Sequence, residues 1–411
     1  MDFKDTPEEA EFRAEARTWL EKNAPKFDTG GQQRQRTLDN VDAALDQAKG
    51  WQAAKADAGF ACISWPKEYG GRGSMIETVI WSQEESRFST PRGFFEIGLG
   101  MAAPVLMMYA TEEQKQRYLP KMRTAEEVWC QLFSEPSAGS DLAGLKTRAV
   151  QEGDEWIING QKVWTSGAHY CDFGILVTRH DPTVQKHIGL TYFFMDMKSP
   201  GVEIVRIKQI SGGSNFCEVF FNDLRIPDAN RLGGIGDGWG VALTTLMNER
   251  LAVGDAPPPD FAELIRLAAR IETENGPAIK NPAVRDKIAD WYVQSQGLKY
   301  TKFRTITALS KGQTPGPEAS IAKVVGASKL QDIASFAMDL QGMSGIVTDP
   351  DLAPDDALHQ DAFLYAPGFR IAGGTDEILR NIIGERVLGL PSDIRVDKQL
   401  PFNQLPTGAT Q

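Results

Sequence analysis

Ser134-Glu135-Pro136-Ser137-Ala138-Gly139-Ser140-Asp141, followed by Asn159-Gly160-Gln161-Lys162-Val163-Trp164-Thr165-Ser166-Gly167, is the most informative part of this chain. The two stretches combine hydroxyls, small residues and one large aromatic. Small residues let backbone N–H groups approach a ligand closely, and hydroxyls donate directionally. An indole offers a flat apolar wall to a flat ring. A planar cofactor with polar edges fits such a set. Asn-Gly is also a strong hairpin signal, so a plain turn between strands remains open on spacing alone.

Outward from this centre, other segments share one pattern. Trp65-Pro66-Lys67-Glu68-Tyr69-Gly70-Gly71 and Thr111-Glu112-Glu113-Gln114 precede it, and Pro200-Gly201-Val202, Arg225-Ile226-Pro227 and Gly373-Gly374-Thr375-Asp376-Glu377-Ile378 follow. In this order the segments resemble the acyl-CoA dehydrogenase family over most of the chain. That resemblance implies an α+β multidomain fold, with an N-terminal α-helical domain (1–125), a middle β-barrel domain (126–235) and a C-terminal four-helix-bundle domain (236–390), then a tail (391–411). It also implies FAD as cofactor and an acyl-CoA thioester as substrate.

The 411 residues suffice for two or three domains, and a 41% hydrophobic content is ordinary for a chain that buries a core. A net charge of −11 argues against a nucleic-acid partner held through phosphates and against an anionic membrane surface. Cys62, Cys130, Cys171 and Cys217 are widely spaced and the four histidines are isolated, so no metal site is expected. Buried, reduced thiols are the expectation. The polar, acidic start Met1–Glu9 is unlike a signal peptide and no apolar run reaches membrane-spanning length, so a soluble, cytoplasmic protein is expected.

Thr6-Pro7-Glu8-Glu9 and Thr111-Glu112-Glu113-Gln114 read as capped helix starts. From about Glu126 the pattern turns to strands: Glu155–Ile158 and Gln161–Trp164 as a hairpin about Asn159-Gly160, then 173–177, 190–195, 202–205 and 217–221. Helices return from Trp239, break at Pro257-Pro258-Pro259, and continue near 260–274, 282–311 and 317–343. A last helix opens at Thr375, and the proline-containing tail from Pro391 reads as an arm or a partly disordered end.

Removing a thioester α-proton needs a carboxylate base, a polarised carbonyl and a hydride acceptor. In one branch of the family the base is a Glu before Gly-Thr near the C-terminus; here Gly373 stands there. In the long-chain and isovaleryl-type branch it precedes an Arg on a C-terminal-domain helix, which corresponds to Glu249-Arg250. Leu243, Leu246, Met247 and Leu251 are expected to surround Glu249 and raise its pKa. An ordinary surface Glu beside a cation is the alternative. The resemblance assigns the Gly373 N–H to the thioester oxygen. The missing side chain leaves room for bulky, branched or polycyclic acyl groups, although a positive φ would equally call for glycine. It also places Ser134, with backbone groups of Gln131 through Phe133, at the flavin pyrimidine edge, Trp164 beside the ring, Ser166 at N5, and Thr375 on the C-terminal side. Gln341 and Gly345 stand at its cofactor positions, and Ser140 and Arg250 on the acyl-CoA path. Trp164 as plain core is the competing reading.

Two departures stand out. The family's Arg-x-x-Phe-Gly segment, whose Arg reaches a neighbouring subunit's FAD, is missing from Asn275–Asn281, where Lys280 is a weaker substitute. Its Gln-x-x-Gly-Gly-x-Gly segment survives only as Gln341-Gly342-Met343-Ser344-Gly345. The resemblance implies an electron-transfer flavoprotein as acceptor. It also implies a homodimer, a homotetramer, or a heterotetramer with a second acyl-CoA dehydrogenase subunit. A flavin oxidase on the same scaffold and a non-catalytic partner subunit are the alternatives. His169 and Arg380 are read as structural.

Overall fold

The computed structural model describes residues 5–27, 40–252, 258–310, 316–394, 397 and 399–405. The chain forms two compact units: residues 1–252 with 394–411, and residues 253–393. The helices before residue 125, the strands after it and the helix carrying Glu249 all lie in the first unit.

In the first unit, helices α1 (Pro7–Asn23), α2 (Val41–Asp57), α3 (Met75–Glu85), α4 (Ala103–Tyr109) and α5 (Glu112–Thr124) precede the sheet. Both expected capping boxes form: the Thr6 and Thr111 hydroxyls accept from the Glu9 and Gln114 N–H groups, and those side chains accept from the cap N–H in return. Trp51, Phe60 and Trp81 pack with Phe12 and Leu20 in a core of their own.

The β domain is a seven-stranded sheet: β1 (Trp129–Leu132), β2 (Arg148–Glu152), β3 (Glu155–Ser166), β4 (Phe173–Arg179), β5 (Leu190–Asp196), β6 (Val202–Ile207) and β7 (Phe216–Pro227), in the order β1-β4-β2-β3-β7-β6 with β5 also on β4. β4 and β5 lack polar alternation because both faces are covered. Ile175, Val177, Tyr192 and Phe194 join one core with Ala102, Leu106 and Leu119 of the helices. Leu176, Phe193 and Met195 join another with Trp156, Ile158, Val219 and Phe221 of the neighbouring strands.

The expected hairpin about Asn159-Gly160 is corrected. β3 runs unbroken through both residues, and the turn lies at Gly153-Asp154, between the paired Glu152 and Glu155. Gly160 serves a close approach instead: a Cβ there would sit 2.6 Å from Thr147 Oγ1 and 2.7 Å from its Cα. The tail is also corrected. Pro401 bridges Gln185, the Phe402 and Asn403 N–H groups donate to the Val184 and Pro182 carbonyls, and the Arg179 guanidinium lies 3.5 Å from the Phe402 ring centre. Lys186 pairs with Asp397 and, at 2.9 Å, with Asp141.

Helix α6 (Gly238–Ala252) completes the first unit. It packs against β5 and against a π-helical turn, Gly98–Ala102, that leads into α4. Single π turns of this kind recur at functional sites.

The second unit is helical: α7 (Phe261–Arg270), α8 (Pro282–Ser310), α9 (Ala319–Gln341), α10 (Leu358–Ile371) and the short α11 (Asp376–Ile382). Leu264 and Leu267 pack with Ile288, Trp291, Ile333 and Ala337. The small residues Ala334, Ala362 and Ala366 let α9 and α10 approach closely. Of the helices expected in a bundle spanning 236–390, α7 to α10 make this unit. No described helix is long and apolar enough to cross a membrane.

Candidate active site

The site is built first by a bulge. The β3–β7 register slips between Lys162 and Thr165, and Trp164 takes a left-handed backbone (φ +62°). A bulge re-aims a side chain that regular pleating would turn inward. The indole is thus 57% exposed, edge-on to Phe216 at 6.1 Å, while Val163 and Thr165 on either side are buried. The core reading of Trp164 is overturned.

The signature loop is tied to this bulge. The Val163 N–H donates to the Ser134 carbonyl at 2.9 Å. The fully buried Lys162 donates to the Phe133 carbonyl at 3.0 Å and to Glu135 Oε1 at 2.9 Å. Glu135 also accepts from the Lys146 and Thr147 N–H groups at 2.6 and 2.9 Å. Burial works against the charge of both partners. The Lys162 ammonium and the backbone donors outweigh it for Glu135, whose pKa falls, whereas burial prevails for Lys162 and lowers its pKa. This pair, 27 residues apart in sequence, is what sequence reading missed. Its only local signal was a Glu and a Lys each set in an otherwise apolar or small-residue run.

Ser134 and Ser166 are half-buried, and their hydroxyls have no partner among the described residues. Gln131 lies on β1, which pairs within the sheet with β4 alone. Its outer edge offers the backbone groups that a pyrimidine ring would need. The Phe133 side chain is core, edge-on to Tyr192 at 5.8 Å, so it can contribute only through its backbone. These features fit an isoalloxazine ring: an exposed indole, two free hydroxyls and an open strand edge in one region. Ser140 is exposed on the same loop, beside Asp141.

On α6, Val241, Thr245 and Glu249 lie four residues apart on one face. The first two are buried and Glu249 is half-buried. Tyr192 and Tyr109 anchor this helix through hydrogen bonds to Thr245 (2.8 Å) and Thr244 (3.2 Å). The expected apolar shell is corrected: Leu243 and Met247 are 42% and 53% exposed on another face. Leu246 is half-buried, and the side chains of Arg250 and Leu251 lie outside the described residues. At the start of α6, Tyr109, His187, Ile188, Trp239 and Gly240 line a cleft of about 460 Å³, a size suited to a small-molecule ligand.

In the second unit, Gly373 and Gly374 both have positive φ (+65° and +92°), and Gly373 is exposed. Glycine is thus favoured there by backbone geometry. The Thr375 hydroxyl caps α11 by accepting from the Ile378 N–H at 3.2 Å. Gln341 and Gly345, to which the resemblance gives a cofactor role, stand where α9 ends. The buried Gln341 amide accepts from Gln360 at 3.0 Å, its carbonyl accepts from Ser344, and a Cβ on Gly345 would meet the Met338 carbonyl at 2.4 Å. The Gln341 Nε2 is buried and has no hydrogen-bond partner among the described residues. Lys280 is exposed.

His169 contacts Cys217 Sγ at 3.4 Å and Arg380 is exposed. All four cysteines are free, and the described residues hold no His/Cys/Asp/Glu cluster suited to a metal.

The chain matches the acyl-CoA dehydrogenase N-terminal domain over residues 6–126, the middle domain over 130–224 and the C-terminal domain over 236–388. It is 35% identical over 405 residues to the acyl-CoA dehydrogenase IpdE1 of Mycolicibacterium smegmatis, covering 94% of this chain and 98% of that protein. Among solved structures it is similar to the steroid ACAD Tcur3481–Tcur3483 (TM-score 0.79, 27% identity, 96% of this chain and 100% of that one). It is similar also to the ChsE4–ChsE5 complex of Mycobacterium tuberculosis (TM-score 0.79, 26% identity, 96% and 100%). The chain therefore belongs to the acyl-CoA dehydrogenase family, with that family's three-domain fold, and is an FAD-dependent oxidoreductase.

Proposed function

We propose that this protein desaturates a bulky, polycyclic acyl-CoA thioester between Cα and Cβ, with Glu249 as the base. Bound FAD supplies the hydride acceptor. Glu249 takes the α-proton on a carboxylate oxygen. The Gly373 N–H donates to the thioester oxygen, where negative charge grows as the proton leaves. Trp164 and Ser134 orient the flavin and Ser166 donates to it, and the family resemblance assigns Thr375 to the same cofactor. Ser140 lines the path of the CoA portion, a role the family resemblance gives to Arg250 as well.

The observation that carries this reading is the bulge at Trp164, a left-handed backbone held so that a large indole faces outward beside unpartnered hydroxyls. Such strain persists where function requires it. The glycine at 373 and the relative described as a steroid ACAD support a polycyclic acyl group.

Heteromeric relatives such as ChsE4–ChsE5 support a heterotetramer with a second acyl-CoA dehydrogenase subunit. Exposed apolar side chains in the second unit, Met343, Ile346 and Leu388 among them, suit a buried subunit contact. Electrons would then pass to an electron-transfer flavoprotein.

Anaerobic mixing of the flavin-loaded protein with straight, branched and steroid-like acyl-CoA thioesters tests the proposal. Flavin bleaching should be fastest with the polycyclic thioester. A preference for straight chains would remove the substrate assignment. A colourless protein that takes up no FAD, alone or with a co-expressed partner, would favour the non-catalytic subunit.

A further inference from the structure

Gly373 and Gly374 form a turn that two glycines leave conformationally soft. A donor on such a turn stabilises charge well only if something fixes its direction before the reaction. The half-buried Lys323, on α9, spans the turn. Its ammonium donates to the Arg370 carbonyl, near the end of α10, at 2.9 Å, and to the Gly374 carbonyl at 2.8 Å. The two acceptors flank Gly373 on either side in sequence. Asp376, in the first turn of α11 and almost fully buried, lies 3.7 Å from Lys323 and accepts from Arg370 Nε at 2.7 Å. Arg370 in turn donates to Gln331 Oε1 on α9 at 2.9 Å. Thus α9, α10 and α11 are tied together around one exposed N–H.

We infer that Lys323 is a positioning residue for the reaction: by clamping the Arg370 and Gly374 carbonyls it aims the Gly373 N–H at the thioester oxygen. The inference rests on the proposed role of Gly373. Lys323 touches neither substrate nor flavin in this account. Burial lowers the Lys323 pKa, and the Asp376 carboxylate beside it opposes that shift.

The test uses the flavin-loaded enzyme, with its partner subunit if the two co-purify. Lys323→Met should lower kcat about tenfold, short of the 100- to 1,000-fold typical of losing an oxyanion donor outright. KM should change less than about twofold, because uniform binding is untouched. Lys323→Arg, which can still bridge two carbonyls, should restore most of kcat. A second readout needs no turnover. Bound acetoacetyl-CoA ionises to its enolate, whose ultraviolet absorption reports the stabilisation of an oxyanion directly. The pH at which it ionises should rise by about one unit in Lys323→Met, the same tenfold expressed in protons, and fall back in Lys323→Arg.

Unchanged kcat and an unchanged enolate titration in Lys323→Met overturn the inference. So does a loss of kcat fully matched by loss of bound FAD or of folded protein. If Lys323→Met does not fold, Lys323→Ala carries the same two measurements with every side-chain donor removed, and wild-type values there overturn it equally. Glu249→Gln is run in parallel. If it reduces flavin at the wild-type rate, the parent reading falls and takes this inference with it. If it is inactive while Lys323→Met matches wild type, only the inference falls.

Discussion

Two regions carry the proposed chemistry, and they are held in opposite ways. The Ser134–Trp164 region stands on a sheet whose β4 and β5 are covered on both faces, and it is fastened by a buried ion pair that also binds backbone groups. The Gly373-Gly374 turn is exposed, built of the least restrained residue type, and fastened by one lysine and a buried aspartate. The first region can hold a rigid ring in place. The second can accommodate varied acyl groups while its donor direction depends on few contacts. The proposed function thus assigns the cofactor to the stiff part and the substrate-dependent element to the soft part.

The comparison is broken most severely at Lys162. Lys162→Met leaves the Glu135 carboxylate buried and unpaired, and should cost about 3–5 kcal/mol of stability. Urea unfolding should show this together with reduced FAD content, and adding Glu135→Gln should recover part of the loss. Next comes Trp164→Ala. The exposed indole contributes little to the core, so unfolding should scarcely move while FAD retention weakens about tenfold. Equilibrium dialysis against FAD separates the two effects, and unchanged occupancy would count against the ring's place.

Smaller effects sharpen the contrast from outside the site. Phe402→Ala removes the ring beneath the Arg179 guanidinium and should cost about 1 kcal/mol. A destabilisation of that size in thermal melts would confirm that the tail is docked. Glu84→Gln gives the pH test. Hydrogen bonds from Arg17, Arg13 and Arg87 hold the Glu84 carboxyl down at about 2, from an ordinary 4.5. A depressed acid contributes stability above its unfolded pKa and loses it as pH falls through the folded one. The wild-type advantage over Glu84→Gln should therefore be full above pH 4.5 and gone near pH 2. Two of its three cationic partners are substantially solvent-exposed, so this advantage should be about 1 kcal/mol or less.

Much of this was legible in the sequence where physics is local. The Thr6 and Thr111 caps bond over three residues, so their spacing alone announces them. The apolar runs of β4 and β5 read directly as strands. Asn159-Gly160 misled because a turn signal and a close-packing requirement both select glycine. The exposure of Trp164 was not legible, since a bulge depends on the register of a partner strand some 55 residues later. Nor were the Glu135–Lys162 pair, the Lys323 clamp and the docked tail, whose contacts join residues at least 27, 47 and 211 positions apart, respectively. The face of α6 was misjudged for a related reason. Leu243 and Met247 are apolar, yet which side of a helix is covered depends on its neighbours.

The central claim is that Glu249 removes the α-proton. Rapid anaerobic mixing of flavin-loaded Glu249→Gln with the best thioester from the panel tests it most directly, with flavin absorbance followed through a single turnover. The account predicts that the variant binds FAD and thioester as the wild type does but leaves the flavin oxidised. Bleaching at a rate near that of the wild type would contradict it.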